Sequence, residues 1–120
     1  MSDHVTCIFE LDVLPGKLES FRTLARNAVD ATRREPGTLI YEYAISDDGT
    51  KAYIVERYLR HALVPHVDIT FAPFAQPFLE HVSFVNLTVF GDVDDDIRQR
   101  LAPFNARYIK THAGFDRFTF

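Results

Sequence analysis

Tryptophan is absent from these 120 residues, and cysteine and methionine occur once each. The lone Cys7 excludes an internal disulfide and fits a reducing compartment, so a cytoplasmic location is expected. No apolar stretch approaches the roughly 20 residues that cross a bilayer. Met1-Ser2-Asp3-His4 also lacks the basic-then-apolar run of a secretory leader, so no membrane partner is expected. A basic excess is missing too: 13 Lys and Arg against 17 Asp and Glu give a net charge of −4, which argues against a nucleic-acid partner. Repeats, low-complexity tracts and linkers are lacking. Residues 1–120 therefore read as one domain, a core of about 4–91 and an extension of about 92–120. What is present is apolar: 47% of the chain is hydrophobic, with 11 Phe and 5 Tyr. That is more aromatic surface than one small core needs, and a dimer interface or a ligand pocket would use the excess.

The pattern along the chain alternates between the periods of strand and helix. Val5, Cys7, Phe9, Leu11 and Val13 alternate with Thr6, Ile8, Glu10 and Asp12, so 4–13 reads as a strand. Pro15-Gly16 ends it, with Gly16 as expected N-cap of a helix over 17–34 whose Phe21, Leu24, Ala25, Ala28 and Thr32 share a face. Pro36 stops that helix, because the residue before a proline avoids the α region. Residues 38–46 and 51–59 read as strands joined by the turn Asp47-Asp48-Gly49-Thr50. Residues 61–81 read as a helix broken by Pro65, Pro73 and Pro77. In the fourth strand, 82–90, Val85, Leu87 and Val89 are placed on one face and Phe84, Asn86, Thr88 and Phe90 on the other. Asp94 to Asp96 open a last short helix with Ile97, Leu101 and Phe104 on its apolar face. The tail, 105–120, carries Tyr108, Ile109, Phe115, Phe118 and Phe120, and is expected to pack with Phe115 or Phe118 buried.

This order, βαββαβ plus a helical extension, is the ferredoxin-like split-βαβ arrangement of an α+β protein. Its helices cover one face of the sheet. Alternation assigns Ile8, Ile40, Ile54, Tyr58, Phe84 and Phe90 to the other. Burying such side chains is worth ~1.5–3 kcal/mol each, so a homodimer through that face is expected.

Among candidate functional residues His66 leads. It is read either as a core histidine satisfied by a hydrogen bond or as an acid, base or ligand anchor in an apolar pocket. Tyr41, Tyr43, Tyr53 and Arg57 are assigned to the helix side of the sheet, where hydroxyls and a guanidinium could hold a small oxygenated ligand. Phe71, Phe74 and Phe78 share a helical face and would wall the pocket. Glu10, Glu42 and Glu56 fall by the same parity on the opposite face, in structural ion pairs. Cys7 reads as a small buried hydrophobe. His61 and His66 lack the i, i+4 spacing of a helical metal pair, and no metal is expected.

The run Glu35-Pro36-Gly37-Thr38-Leu39-Ile40-Tyr41-Glu42, followed by Val55-Glu56-Arg57-Tyr58 and by Ala62 with His66, resembles the antibiotic-biosynthesis-monooxygenase-like family. The resemblance covers roughly residues 5–90. It implies a dimeric α+β barrel and a cofactor-independent monooxygenase that oxidises a small phenolic or quinol-type substrate with O₂. Non-redox isomerisation, or ligand binding in a stress-response module, is the alternative in the same pocket. In the family's haem-degrading branch the third strand carries a tryptophan. This chain has none, and Phe9 and Val55 stand roughly at the corresponding strand positions, which argues against haem degradation.

Overall fold

A computed structural model describes residues 3–117. Strands β1 (His4–Val13), β2 (Thr38–Ile45), β3 (Lys51–Leu59), β4 (Val82–Phe90) and β5 (Arg107–Ile109) form one sheet in the order β2-β3-β1-β4-β5. All neighbours are antiparallel except β5, which runs parallel to β4. Helices α1 (Leu18–Thr32), α2 (Leu63–Pro65), α3 (Ala72–Leu79) and α4 (Asp95–Leu101) complete the ferredoxin-like α+β fold. Between α2 and α3 the chain makes a π-helical turn, His66–Thr70, closed by Phe71 N–H donating to the His66 carbonyl. No helix among the described residues is long and apolar enough to cross a membrane.

The core lies between the helices and one sheet face. Val5, Cys7, Phe9, Leu11 and Val13 of β1 are buried there, as the alternation of that strand predicts. Phe21 and Phe78 meet at 5.8 Å between ring centroids and join α1 to α3. Residue 17 is the N-cap of α1 rather than Gly16, and Lys17 makes no side-chain cap bond.

Two facing assignments are corrected. The hairpin turns on Asp48, whose Oδ1 accepts hydrogen bonds from Ser46 Oγ and from the Thr50 amide and hydroxyl, with Gly49 at φ 73°. That loop pairs Ile45 with Ala52, Tyr43 with Ile54 and Tyr41 with Glu56, so odd residues of β2 share a face with even residues of β3. Ile54, Glu56 and Tyr58 therefore lie in the core, and Tyr53 and Arg57 lie on the helix-free face. The second correction comes from a bulge. Glu10 pairs with Asn86 and Leu11 with Phe84, leaving Val85 as the extra residue. Phe84 is thereby turned into the core, against Phe9 and Phe78, and Val85 is exposed.

The helix-free face thus carries a smaller apolar set than expected: Ile8, Ile40 and Phe90, with Tyr53 and Val55 beside them. Phe115 is not buried but 81% exposed. Phe118 and Phe120 lie outside the described residues. The tail is held by polar contacts instead: the Asp116 carboxylate lies 2.7 Å from His4 Nδ1 and accepts from Arg57 at 3.4 Å. Further up the extension, Ile97 and Leu101 are buried, Phe104 packs on Phe9 and Phe84, and Arg98 stacks on Tyr108.

Candidate functional site

The motif that opens β2 is a set of contacts. Pro36 ends α1 early enough for Glu35 to turn inward. Gly37 is buried, and a Cβ on it would sit 2.6 Å from the Ala62 Cβ, so only glycine lets the segment after β3 approach this closely. That approach brings the His66 ring to the Glu35 carboxylate, with Nδ1 at 3.0 and 3.1 Å from its two oxygens. Thr38 Oγ1 donates to the same carboxylate at 2.6 Å and fixes its orientation. A carboxylate can only accept, so His66 Nδ1 carries the proton and Nε2 carries the lone pair. His66 is 3% exposed. Burial holds its pKa below the ordinary value although Glu35 pulls the other way, so the ring is neutral at pH 7.

His66 lines a cavity of about 70 Å³ between the sheet and the helices. Its wall is otherwise apolar except for Glu56 and the Tyr58 and Cys7 side chains. Phe71, Phe78, Phe84, Leu101 and Phe104 close it, the last two contributed by the extension. The volume is about half the ~150 Å³ that a benzene molecule fills in a protein interior. A ring-sized ligand therefore enters only if this wall shifts. The π-helical turn carrying His66 and Val67 is a form of helix that recurs at functional sites.

Glu56 is the polar group that parity reasoning had placed outside. It is 8% exposed, between Cys7 on β1 and Tyr41 on β2. Tyr58 O–H donates to its Oε1 at 2.5 Å, and no cation pairs with it among the described residues. Burial, reinforced by the charge of Glu35 and partly offset by the Tyr58 hydrogen bond, pushes its pKa up to about 7. Burial likewise pushes up Cys7, Tyr41, Tyr43 and Tyr58, so all four stay protonated at neutral pH.

The structure brings His66, Phe71 and Phe78 together around the cavity. Tyr41 and Tyr43 form a layer behind it. Their hydroxyls share a hydrogen bond at 3.1 Å, and Tyr41 packs edge-on against His66 at 5.1 Å. Phe74 is half-buried against Phe71 and does not line the cavity. Tyr53 is 40% exposed on the far side of the sheet, where Arg57 donates to Thr6 Oγ1. Sequence reasoning missed Glu35, Glu56, Tyr58, Leu101 and Phe104. The signal for Glu56 and Tyr58 lay in the length of the hairpin loop, which fixes parity across the turn.

A small ferredoxin-like domain with an apolar-walled cavity and a carboxylate-held histidine is the class that fold and site define. Residues 4–59 match the family model described as antibiotic biosynthesis monooxygenase. Among solved structures, MupZ from Pseudomonas fluorescens superposes with a TM-score of 0.85 at 22% identity, over 98% of this chain and 91% of its own. Rv0793 from Mycobacterium tuberculosis gives 0.63 at 24% identity, over 77% and 97%. SnoaB, a cofactor-independent oxygenase from Streptomyces nogalater, gives 0.66 at 16% identity, over 78% and 96%. MupZ thus shares the fold over nearly the whole chain, the other two over about three quarters of it. No curated protein matches the sequence.

Proposed function

We propose that this protein is a cofactor-independent monooxygenase of a small phenolic or quinol-type aromatic substrate, acting as a cytoplasmic homodimer. The observation that carries the reading is the buried His66–Glu35 pair at the wall of an apolar cavity. Its Nε2 is a base held in one tautomer in an apolar surrounding. It takes the proton of a phenolic hydroxyl, and the electron-rich ring then reduces O₂ directly. Going from phenol to quinone releases four electrons, which O₂ accepts: one oxygen atom enters the ring and the other leaves as water. The substrate supplies every electron, so no external reductant enters the balance. The protein contributes the base, the orientation and the exclusion of water. The match of residues 4–59 to the monooxygenase family model and the fold shared with SnoaB support the reading.

General-base help is worth ~10²–10⁴-fold in rate. His66→Ala should lower O₂ uptake with 1-naphthol or hydroquinone by about that factor while the fold is retained, as read by an oxygen electrode and circular dichroism. An unchanged rate removes His66 from the mechanism. A second reading, non-redox isomerisation in the same cavity, is favoured by the presence of two titratable groups, His66 and Glu56, on one apolar wall. It predicts turnover without oxygen consumption.

A further inference from the structure

Among the described residues, Glu56 has no structural partner that requires a carboxyl. Its one hydrogen bond among the described residues comes from Tyr58, and a glutamine would accept that equally well. Among the described residues no Lys or Arg lines the cavity, so a charged Glu56 would be buried there without a counter-ion. Its Oε1 accepts from Tyr58, and its side chain lines the cavity.

We propose that Glu56 is a second catalytic residue, present as the carboxylic acid, which donates a hydrogen bond to an oxygen of the bound ligand while His66 accepts a proton from a hydroxyl at the other end. The proposal deepens the reading of His66 as base and rests on it for the reaction. It adds a ligand class: an uncharged ring with an oxygen at each end, as in a hydroquinone or a hydroxyaryl ketone. An anionic ligand would find no cation here. When His66 removes the proton, negative charge spreads through the ring to the far oxygen, and a neutral acid placed there stabilises it. No proton is transferred from Glu56, so the balance of the oxidation is unchanged. The groups around Glu56 are Cys7 on β1, Tyr41 and Tyr43 on β2, Tyr58 on β3, Glu35 after α1 and His66 in the π-helical turn. The thiol and the three phenols are held neutral by burial, so Glu56 is the group expected to titrate near pH 7.

The test uses hydroquinone under nitrogen, whose hydroxyls ionise only near the phenolic value of about 10. Calorimetry should show binding about tenfold weaker at pH 9 than at pH 6, because an ionised Glu56 no longer donates. Glu56→Gln keeps the Tyr58 contact and a donor, and should bind with that pH dependence gone. Infrared difference spectra of the wild type should show a protonated-carboxyl C=O band that is lost between pH 6 and 9 and is absent from the variant. Tyr58→Phe removes the hydrogen bond that favours ionisation, so the midpoint of that band should move to higher pH. That shift tests the assignment even if Glu56→Gln does not fold. The proposal is overturned if hydroquinone does not bind, if no such band is present at pH 6, or if Glu56→Gln keeps the wild-type pH dependence. If these signatures appear but no phenol consumes O₂, the oxygenase reading fails and the role of Glu56 as donor stands.

Discussion

At the scale of residues, one buried carboxyl separates acid from neutral behaviour. The unfolded chain releases the Glu56 proton near its ordinary value of 4.5, and the folded chain does so near 7. Between those values the folded state binds more protons, so this contribution to stability is full below pH 4.5 and is lost as pH rises through 7. The shift corresponds to a loss on the order of 3 kcal/mol. His66 acts with the opposite sign: its folded pKa is depressed, so its contribution is present above pH 6.5 and is lost as pH falls. Glu56→Gln removes the first slope and keeps the second. Urea denaturation should therefore find the variant more stable than the wild type at pH 8 and close to it at pH 4.5. Two curves that run parallel from pH 5 to 8 would show that Glu56 does not titrate in this way.

At the scale of elements, the site depends on how closely two connections approach each other. The turn after α1 supplies Glu35, and the irregular stretch after β3 supplies His66. Gly37 against Ala62 is the point where they touch. Gly37→Ala places a methyl 2.6 Å from the Ala62 Cβ, so the stretch from Ala62 to His66 must move away from β2. Overpacking of this kind costs about 1–3 kcal/mol. The expected outcome is a loss of that size in urea denaturation, together with a changed His66 ring environment in NMR spectra. A variant with native His66 shifts and unchanged stability would mean that the contact relaxes freely. Beyond β4, Asp94 caps α4 through its carboxylate and the Ile97 amide at 2.9 Å, and α4 brings Leu101 to the cavity wall. Asp94→Ala should cost about 1 kcal/mol, measurable as a lowered urea midpoint with the slope unchanged.

At the scale of the molecule, the helices of the described residues pack on the core face of the sheet. Ile8, Ile40 and Phe90 remain on the other, with Tyr53 and Val55 beside them. This patch motivates the proposed homodimer. Light scattering at micromolar concentration should give twice the 13.8 kDa chain mass, and Ile8→Asp should shift it toward one. A monomeric wild type at that concentration removes the dimer. Because the cavity lies on the other side of the sheet, Ile8→Asp is also expected to leave hydroquinone binding intact.

The order of strands and helices was legible in the sequence because periodicity is a local property. Alternation in β1, the helical face of α1 and the stops at Pro36 and Asp48-Gly49 each follow from a few neighbouring residues. His66 could be singled out, and with it Phe71 and Phe78. Facing was not local. The side of the sheet to which Glu56, Tyr58, Tyr53 and Arg57 turn depends on the register across the hairpin, and the direction of Phe84 depends on the bulge at Val85. Each one-residue shift exchanges the two faces of a strand. Glu35 was visible in the motif, yet its link to His66 joins residues 31 apart and exists only once Gly37 and Ala62 are in contact. The sequence by itself determined the first four strands, the helices between them and their order. The tertiary structure alone decided which polar groups share the apolar-walled cavity, because that is set by register and close approach rather than by the period of any one segment.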